Sequence, residues 1–473
     1  MSTDTLQPST GTNRTAVHKT AILAIILVSY FMLILDNSII FTGLPTIQRS
    51  MHFTQTGLTW VQDAYTLTFG GALLLGARAG DIIGRRRMFI IGLVLFTLAS
   101  GLVGASPAGW WMIAARALQG IGSAIVAPTA LSLITSTFEA GRERARAVAL
   151  YSAVAGIGAS LGMVVGGVLA DLVSWRAGFY LNLPIGVLML ILGSRYLVET
   201  KRAPGRFDIV GAVTATAGMG ALIFGVIESS TRGWGSPVTI TAIALGVVLL
   251  AVLVMNEWKA EQPIMPLRLF RSRTRSSAYA IRFLYLGAMM GFFFFTTQFL
   301  QEVFGWSPLQ AGLGFLPMSV VNFAVAIAVP RLLRRVPAAW VLLAGVVLTG
   351  IGMWWLAQVQ AESTYLASVA LPMIIIGAGQ GLAFAPLTSF GIHGATSTDA
   401  GAASGLVNTA HQLGSSLGLA VLVAISTATA AGTGAAAVVA RTGSALTAAT
   451  CLLVLGAISS ALLTIRQSAT DER

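Results

Sequence analysis

Runs of about 20 apolar residues, each long enough to span roughly 30 Å of hydrocarbon as a helix, recur along the whole chain. Short breaks between the runs hold nearly all of the charge. In hydrocarbon only a helix or a closed barrel satisfies its own backbone hydrogen bonds, so the pattern predicts an all-α integral membrane protein. Composition removes the soluble alternative. With 55% hydrophobic and 10% charged residues, the 473-residue chain has too little polar surface to cover a globule of its size. The first run, 20–41, is too long for a signal-peptide core and has no small-x-small cleavage site after it, so it reads as a retained span.

Fourteen transmembrane helices are expected, at about 20–43, 57–77, 88–106, 110–135, 145–169, 178–198, 207–227, 237–257, 277–301, 310–330, 338–357, 366–390, 402–428 and 444–465. An even number puts both termini on one side. With that side cytoplasmic, 24 of the 29 Lys and Arg residues fall on inner segments, Arg282 counted among them. Arg49, Arg176, Arg232 and Arg441 fall outside, and Arg116 within a span. Positive residues favour the cytoplasmic side, so cytoplasmic termini and a bacterial inner or plasma membrane are predicted. All 10 tryptophans lie near predicted span ends, where an amphipathic ring prefers to sit. The net charge of +12 thus marks topology, and no nucleic-acid partner is expected. Cys451 is the single cysteine and can form no intrachain disulfide.

The longest inner connection, 258–277, contains Pro263 and Pro266 around an apolar and basic mix, and reads as an interfacial linker between two halves. The loop 330–337 repeats the position and basic character of the loop after the second span. The expected organisation is a tail (1–19), an N-terminal six-helix bundle (20–198), a linker with two inserted spans (199–276), a C-terminal six-helix bundle (277–466) and a tail (467–473). The 52 glycines concentrate within spans, where small residues let helices approach closely.

Three charges fall inside spans. Asp36, Asp63 and Arg116 each lie six or seven residues from the outer end of a span, about 10 Å deep at 1.5 Å per residue. They are predicted to share one polar layer. A lone charge in hydrocarbon costs at least about 2.5–3.5 kcal/mol on insertion scales, so such residues face a cavity or each other. Burial favours a neutral carboxyl and a nearby guanidinium an ionised one. The layer is therefore a candidate proton-coupling site, in which one of the two acids exchanges a proton for substrate. The structural alternatives are a local cap at Asn37 and Ser38 for Asp36 and a static helix tie for Arg116. Between spans 2 and 3, Ala77–Arg87 (ARAGDIIGRRR) combines an acid, a tight glycine turn and three arginines. Asp81 reads as a gate latch, pairing with arginines or helix N-termini in an outward-open state, or as an ordinary turn residue.

Candidates for a substrate cavity are Phe292, Phe295, Gln298 and Phe299 on span 9, with Asn322, Asn408, His411 and Gln412 on later spans. Packing against lipid or core is the alternative for the phenylalanines. His411 either titrates or packs. There is no GxxxxGK[ST] loop, no paired Cys/His set and no soluble nucleotide domain, so neither ATP hydrolysis nor a metal is expected; an ion gradient remains as the energy source.

Several motifs together resemble the fourteen-span drug/proton antiporters of the major facilitator superfamily, the EmrB/QacA type, from about Leu33 to Leu463. They are LDNSIIFTGLP (Leu35–Pro45), the gating loop with Asp81, Gly84, Arg85 and Arg86 on signature positions, RALQGIGSA (Arg116–Ala124), WRAGFYLNLPIG (Trp175–Gly186) and GAASGLVNTAHQLGSSLG (Gly401–Gly418). GASLGMVVGG, with Gly158, Gly162, Gly166 and Gly167, is similar to the antiporter motif of span 5 except that Met163 replaces its proline. Ala77, Ala79 and Ile82 depart from the usual gating-loop residues. The resemblance implies proton-driven export of hydrophobic, cationic drugs by alternating access, with no cofactor. Its partners would be the bilayer, a small lipophilic substrate and, in a two-membrane bacterium, a periplasmic adaptor. Alternatives are dedicated export of one metabolite or self-made antibiotic, a facilitator without antiport, and a lipid translocase.

Overall fold

The computed structural model describes residues 11–139, 142–200, 202, 207–260, 263–395, 400–429 and 434–471. Of the expected tails, 1–10 and 472–473 lie outside these residues, as do 201, 203–206 and 261–262 of the expected linker. The described residues are helical, with no strand among them. The helices of the first half are α1 (Gly11–Met51), α2 (Gln55–Ile83), α3 (Arg85–Gly104), α4 (Gly109–Thr137), α5 (Arg142–Leu172), α6 (Trp175–Tyr180) and α7 (Asn182–Tyr196). Then come α8 (Ile209–Arg232), α9 (Pro237–Lys259), α10 (Arg273–Glu302), α11 (Pro308–Gly314) and α12 (Leu316–Leu332). The last four are α13 (Ala338–Leu356), α14 (Leu371–Ile392), α15 (Ala400–Thr429) and α16 (Ala435–Asp471).

Among the described residues, 12 helical stretches are long and apolar enough to cross a membrane, against the fourteen expected. The shortfall falls on α2 and α5. In α2, Thr56, Thr59, Gln62, Asp63, Thr66 and Thr68 lower the apolarity, and all but Thr68 are buried. In α5 several side chains before Leu161 lie outside the described residues, and the apolar stretch described is Leu161–Leu172. Both helices nonetheless pack lengthwise, α2 along α4 and α15, and α5 along α1.

Two expected spans are broken. The sixth is α6 plus α7, interrupted at Leu181, and the tenth is α11 plus α12, interrupted at Phe315. Pro184 and Pro317 lack the N–H that the carbonyls of Tyr180 and Leu313 would accept, which weakens the helix at both points. Ser307 closes the start of α11 with a capping box shared with Gln310.

The contacts sort helix ends onto two sides. Lys19 at the start of α1 meets Glu143 at the start of α5, and the Arg85–Arg87 turn meets the ends of α4 and α7. On the opposite side the end of α1, the start of α2 and the end of α10 come together. Helices α8 and α9 pair with each other, and α8 also touches α2 and α15. Helix α9 leaves Ile240, Leu245, Val247 and Val248 exposed, as suits a surface facing lipid.

Candidate functional site

Arg116 and Gln119 lie three residues apart on one face of α4, so both side chains reach the same neighbours. Gly120 lets α2 close on that face, because a methyl there would strike Thr68 and the Tyr65 carbonyl. Across this contact Arg116, fully buried, donates from Nη1 to Asp36 Oδ2 of α1 at 2.8 Å and from Nε to the Val61 carbonyl at 3.0 Å. Asp36 Oδ1 accepts from Gln119 Nε2 at 2.8 Å and from Asn182 Nδ2 of α7 at 2.6 Å. The guanidinium also lies 4.3 Å from the Tyr65 ring centroid, and Tyr65 shares a hydrogen bond with Ser123 at 2.8 Å. The acid thus holds together α1, α4 and α7. Its three donors replace the water that an ionised carboxylate needs.

Asp63 departs from the predicted layer. It is also fully buried, but it points away from Arg116 and toward α15, where Ser416 donates to Oδ1 at 3.0 Å. Its Oδ2 has no hydrogen-bond partner among the described residues. Sequence spacing gives depth along a helix but not the direction a side chain takes around it when neighbours on both faces are unknown. The helix face bearing Asp63 meets the C-terminal helices, whereas Asp36 and Arg116 look inward among the N-terminal ones.

In the gating loop, Arg85 donates to Asp81 Oδ1 at 3.1 Å and to the Ser132 carbonyl at 3.1 Å, while Arg86 donates to the Ser194 carbonyl at 2.6 Å. The start of α3 is held by a residue the sequence reading overlooked. The Glu199 carboxylate accepts from the backbone N–H of Arg86 and Arg87 at 3.1 and 3.2 Å, placing an anion on the positive helix end. Gly84 has φ +123°, and a Cβ there would lie 2.6 Å from that carboxyl, so both strain and space require glycine. Asp81 therefore pairs with an arginine while a different acid takes the helix N-terminus.

The antiporter-motif glycines fit α5 against its neighbours. Added carbons would sit 2.7 Å from the Ile39 Cα at Gly166, 2.5 Å from Ser38 Cβ at Gly162 and 3.0 Å from Ile34 at Gly158. Gly167 faces α11 instead, 2.6 Å from the Pro308 carbonyl by the same measure, and Gly312 of α11 faces the Met163 carbonyl. Met163 is buried at this seam.

The predicted cavity residues separate into two groups. Phe292, Phe295, Gln298 and Phe299 are buried, the phenylalanines within a packed aromatic core. Phe292 stacks edge-on to Phe315, and Gln298 accepts from Gln55 of α2 at 2.8 Å, so this run is a seam between α10, α11 and the N-terminal helices. Asn322 is half-buried on α12; Asn408, exposed, donates to the Ser404 carbonyl; Gln412 backs onto Gly70 of α2. His411 accepts at Nδ1 from Arg282 Nη2 at 3.2 Å, since a guanidinium has only donors. Arg282, counted above as a topological flank, is in fact buried in α10.

Similarity to known proteins agrees with this architecture. A family model described as Major Facilitator Superfamily matches residues 26–419. The chain belongs to the Major Facilitator Superfamily. The cephamycin export protein CmcT of Amycolatopsis lactamdurans is 38% identical over 422 residues, covering 88% of this chain and 87% of that one. The puromycin resistance protein pur8 of Streptomyces alboniger is 34% identical over 86% of this chain and 81% of its own. A solved bacterial homologue of the human lysosomal transporter Spinster shares the fold, with a TM-score of 0.66 at 15% identity over 94% of this chain and 96% of that one. This is a multi-pass superfamily transporter whose relatives include antibiotic exporters and resistance proteins.

Proposed function

We propose that this protein is a fourteen-span exporter of small lipophilic compounds that exchanges them for protons across a bacterial inner membrane. The span count completes the 12 apolar stretches with α2 and α5, in a 6 + 2 + 6 order with cytoplasmic termini, α8 and α9 being the inserted pair. The observation that carries the coupling is the difference between the two buried acids. Asp36 is committed to Arg116, Gln119 and Asn182, whereas Asp63 has an oxygen without a partner and its only side-chain donor, Ser416, comes from α15. A proton added at Asp63 Oδ2 changes the charge at a contact between the two halves without breaking an ion pair. That is how proton binding can bias their rocking. Asp36 and Arg116 hold the N-terminal half in the shape that presents Asp63.

The names of the relatives support export of antibiotics, with dedicated export of one compound class as the second reading. Everted vesicles test the coupling directly. After a proton gradient is established, adding a transported compound to wild type discharges the gradient, and a panel of lipophilic cations, neutral compounds and acids finds which compounds do so. Asp63→Asn and Asp36→Asn are each expected to abolish the discharge. Discharge retained in both variants would refute the assignment.

A further inference from the structure

Arg282 is a buried charge that the proton pathway does not use. It lies in the tenth position of α10, roughly 15 Å from the start of that helix at 1.5 Å per residue. The residue is 6% exposed. Nη1 donates to Thr388 Oγ1 of α14 at 2.9 Å and Nη2 to His411 Nδ1 of α15 at 3.2 Å, while Nε is buried without a hydrogen-bond partner. Among the described residues no carboxylate forms an ion pair with it. Arg116, also buried within a span, has Asp36. Arg275, buried earlier in α10, donates to the Leu269 and His393 carbonyls.

Both hydrogen-bond partners of Arg282 are neutral, so the cluster keeps its full positive charge. It is also not sealed. Thr388 and Asn408 are exposed, and His411 and Gln412 are half-exposed, with Asn408, His411 and Gln412 on one face of α15. Exposed polar side chains within a span are costly against hydrocarbon and favour a water-filled space over lipid. An aromatic ring flanks the charge: the guanidinium lies 5.1 Å from the Phe384 centroid. A buried cation with an unpartnered donor and an aromatic neighbour is complementary to an anion carried on an apolar body.

We propose that Arg282, with Thr388 and His411, is an anion subsite, and that the exported compounds are lipophilic acids whose carboxylate it receives. This deepens the export reading and rests on it, and it replaces the cationic substrate expected from resemblance. The guanidinium offers its unpartnered Nε–H to a carboxylate, and Phe384 lies against the apolar part.

The test uses purified full-length protein in phosphatidylcholine nanodiscs without a gradient, titrated with fluorescein and with fluorescein methyl ester, which lacks the free carboxylate. Wild type is expected to bind the acid at least tenfold more tightly than the ester. Arg282→Gln should erase that preference, with the ester affinity unchanged, and Arg282→Lys should keep part of it. Equal affinity for acid and ester in wild type, binding of neither, or an intact preference in Arg282→Gln would overturn the proposal. So would full displacement of fluorescein by phosphatidylglycerol in the disc at the level of a bulk lipid, which would make the anion a lipid headgroup. If the acid is preferred yet no compound discharges a proton gradient in vesicles, the subsite stands and the export reading falls.

Discussion

At the scale of single residues, the buried charges are ranked by what surrounds them. Asp36→Asn keeps the shape of the side chain but leaves Arg116 buried without a counter-charge. Breaking one partner of such a pair costs about 3–5 kcal/mol. A clear fall in the melting midpoint in detergent is expected, larger than for Asp63→Asn, which only swaps a carboxyl oxygen bonded to Ser416 for an amide. Equal midpoints would contradict the pairing. Gly84→Ala is expected to lose stability twice, through about 1–2 kcal/mol of backbone strain and through collision with Glu199. The double variant Gly84→Ala with Glu199→Ala should lose less than the sum of the two single losses, and strict additivity would remove the collision from the account. These sites show what a linear sequence carries. The cost of lone charges implied that Asp36, Asp63 and Arg116 face a cavity or each other, and the structure pairs Asp36 with Arg116. The direction of Asp63 was not legible, because α2 has helices on both faces. Arg282 passed for a flanking charge because it stands a few residues inside a run, where a long side chain is expected to reach water. Glu199 was hidden by its distance from the loop it caps.

At the scale of helices, the fit of α5 against α1 rests on small residues meeting backbone. An alanine at Gly166 would drive its methyl to 2.7 Å from the Ile39 Cα and 2.8 Å from its carbonyl, atoms that cannot turn aside. At Gly158 the nearest atom is Ile34 Cγ2 at 3.0 Å, on a side chain that can shift. Gly166→Ala should therefore lower the melting midpoint more than Gly158→Ala; the reverse order would mean that the two helices do not pack as described. Hydrophobic periodicity located these helices because burial in lipid demands long apolar runs. It placed α2 as well, although that helix carries an acid, a glutamine and a row of threonines whose hydroxyls turn back to backbone carbonyls, which lowers its apolarity while burying its surface. The breaks at Leu181 and Phe315 were written in the prolines three and two residues on, but a count of apolar residues passes over them.

At the scale of the whole molecule, the two ends are held by different chemistry. At the end away from the gating loop, Gln55 donates to Gln298, Gln301 donates to the Thr42 carbonyl, and Gly167 sits against Pro308. At the other end the N-terminal helices are tied among themselves, by Arg85 to Ser132, Arg86 to Ser194 and Lys19 to Glu143. Transport by alternating access requires the first set of contacts to open once per cycle. In a Cys451→Ser background, which removes the single native thiol, Gln55→Cys with Gln298→Cys places two thiols across that seam. Joining them with a short reducible bifunctional reagent should stop export completely, and a reductant should restore it. Each single-cysteine variant should be unaffected by the same reagent. If export continues at full rate in protein shown by gel shift to be fully cross-linked, the seam does not open during transport. The path of the substrate must then lie elsewhere than between these two groups of helices.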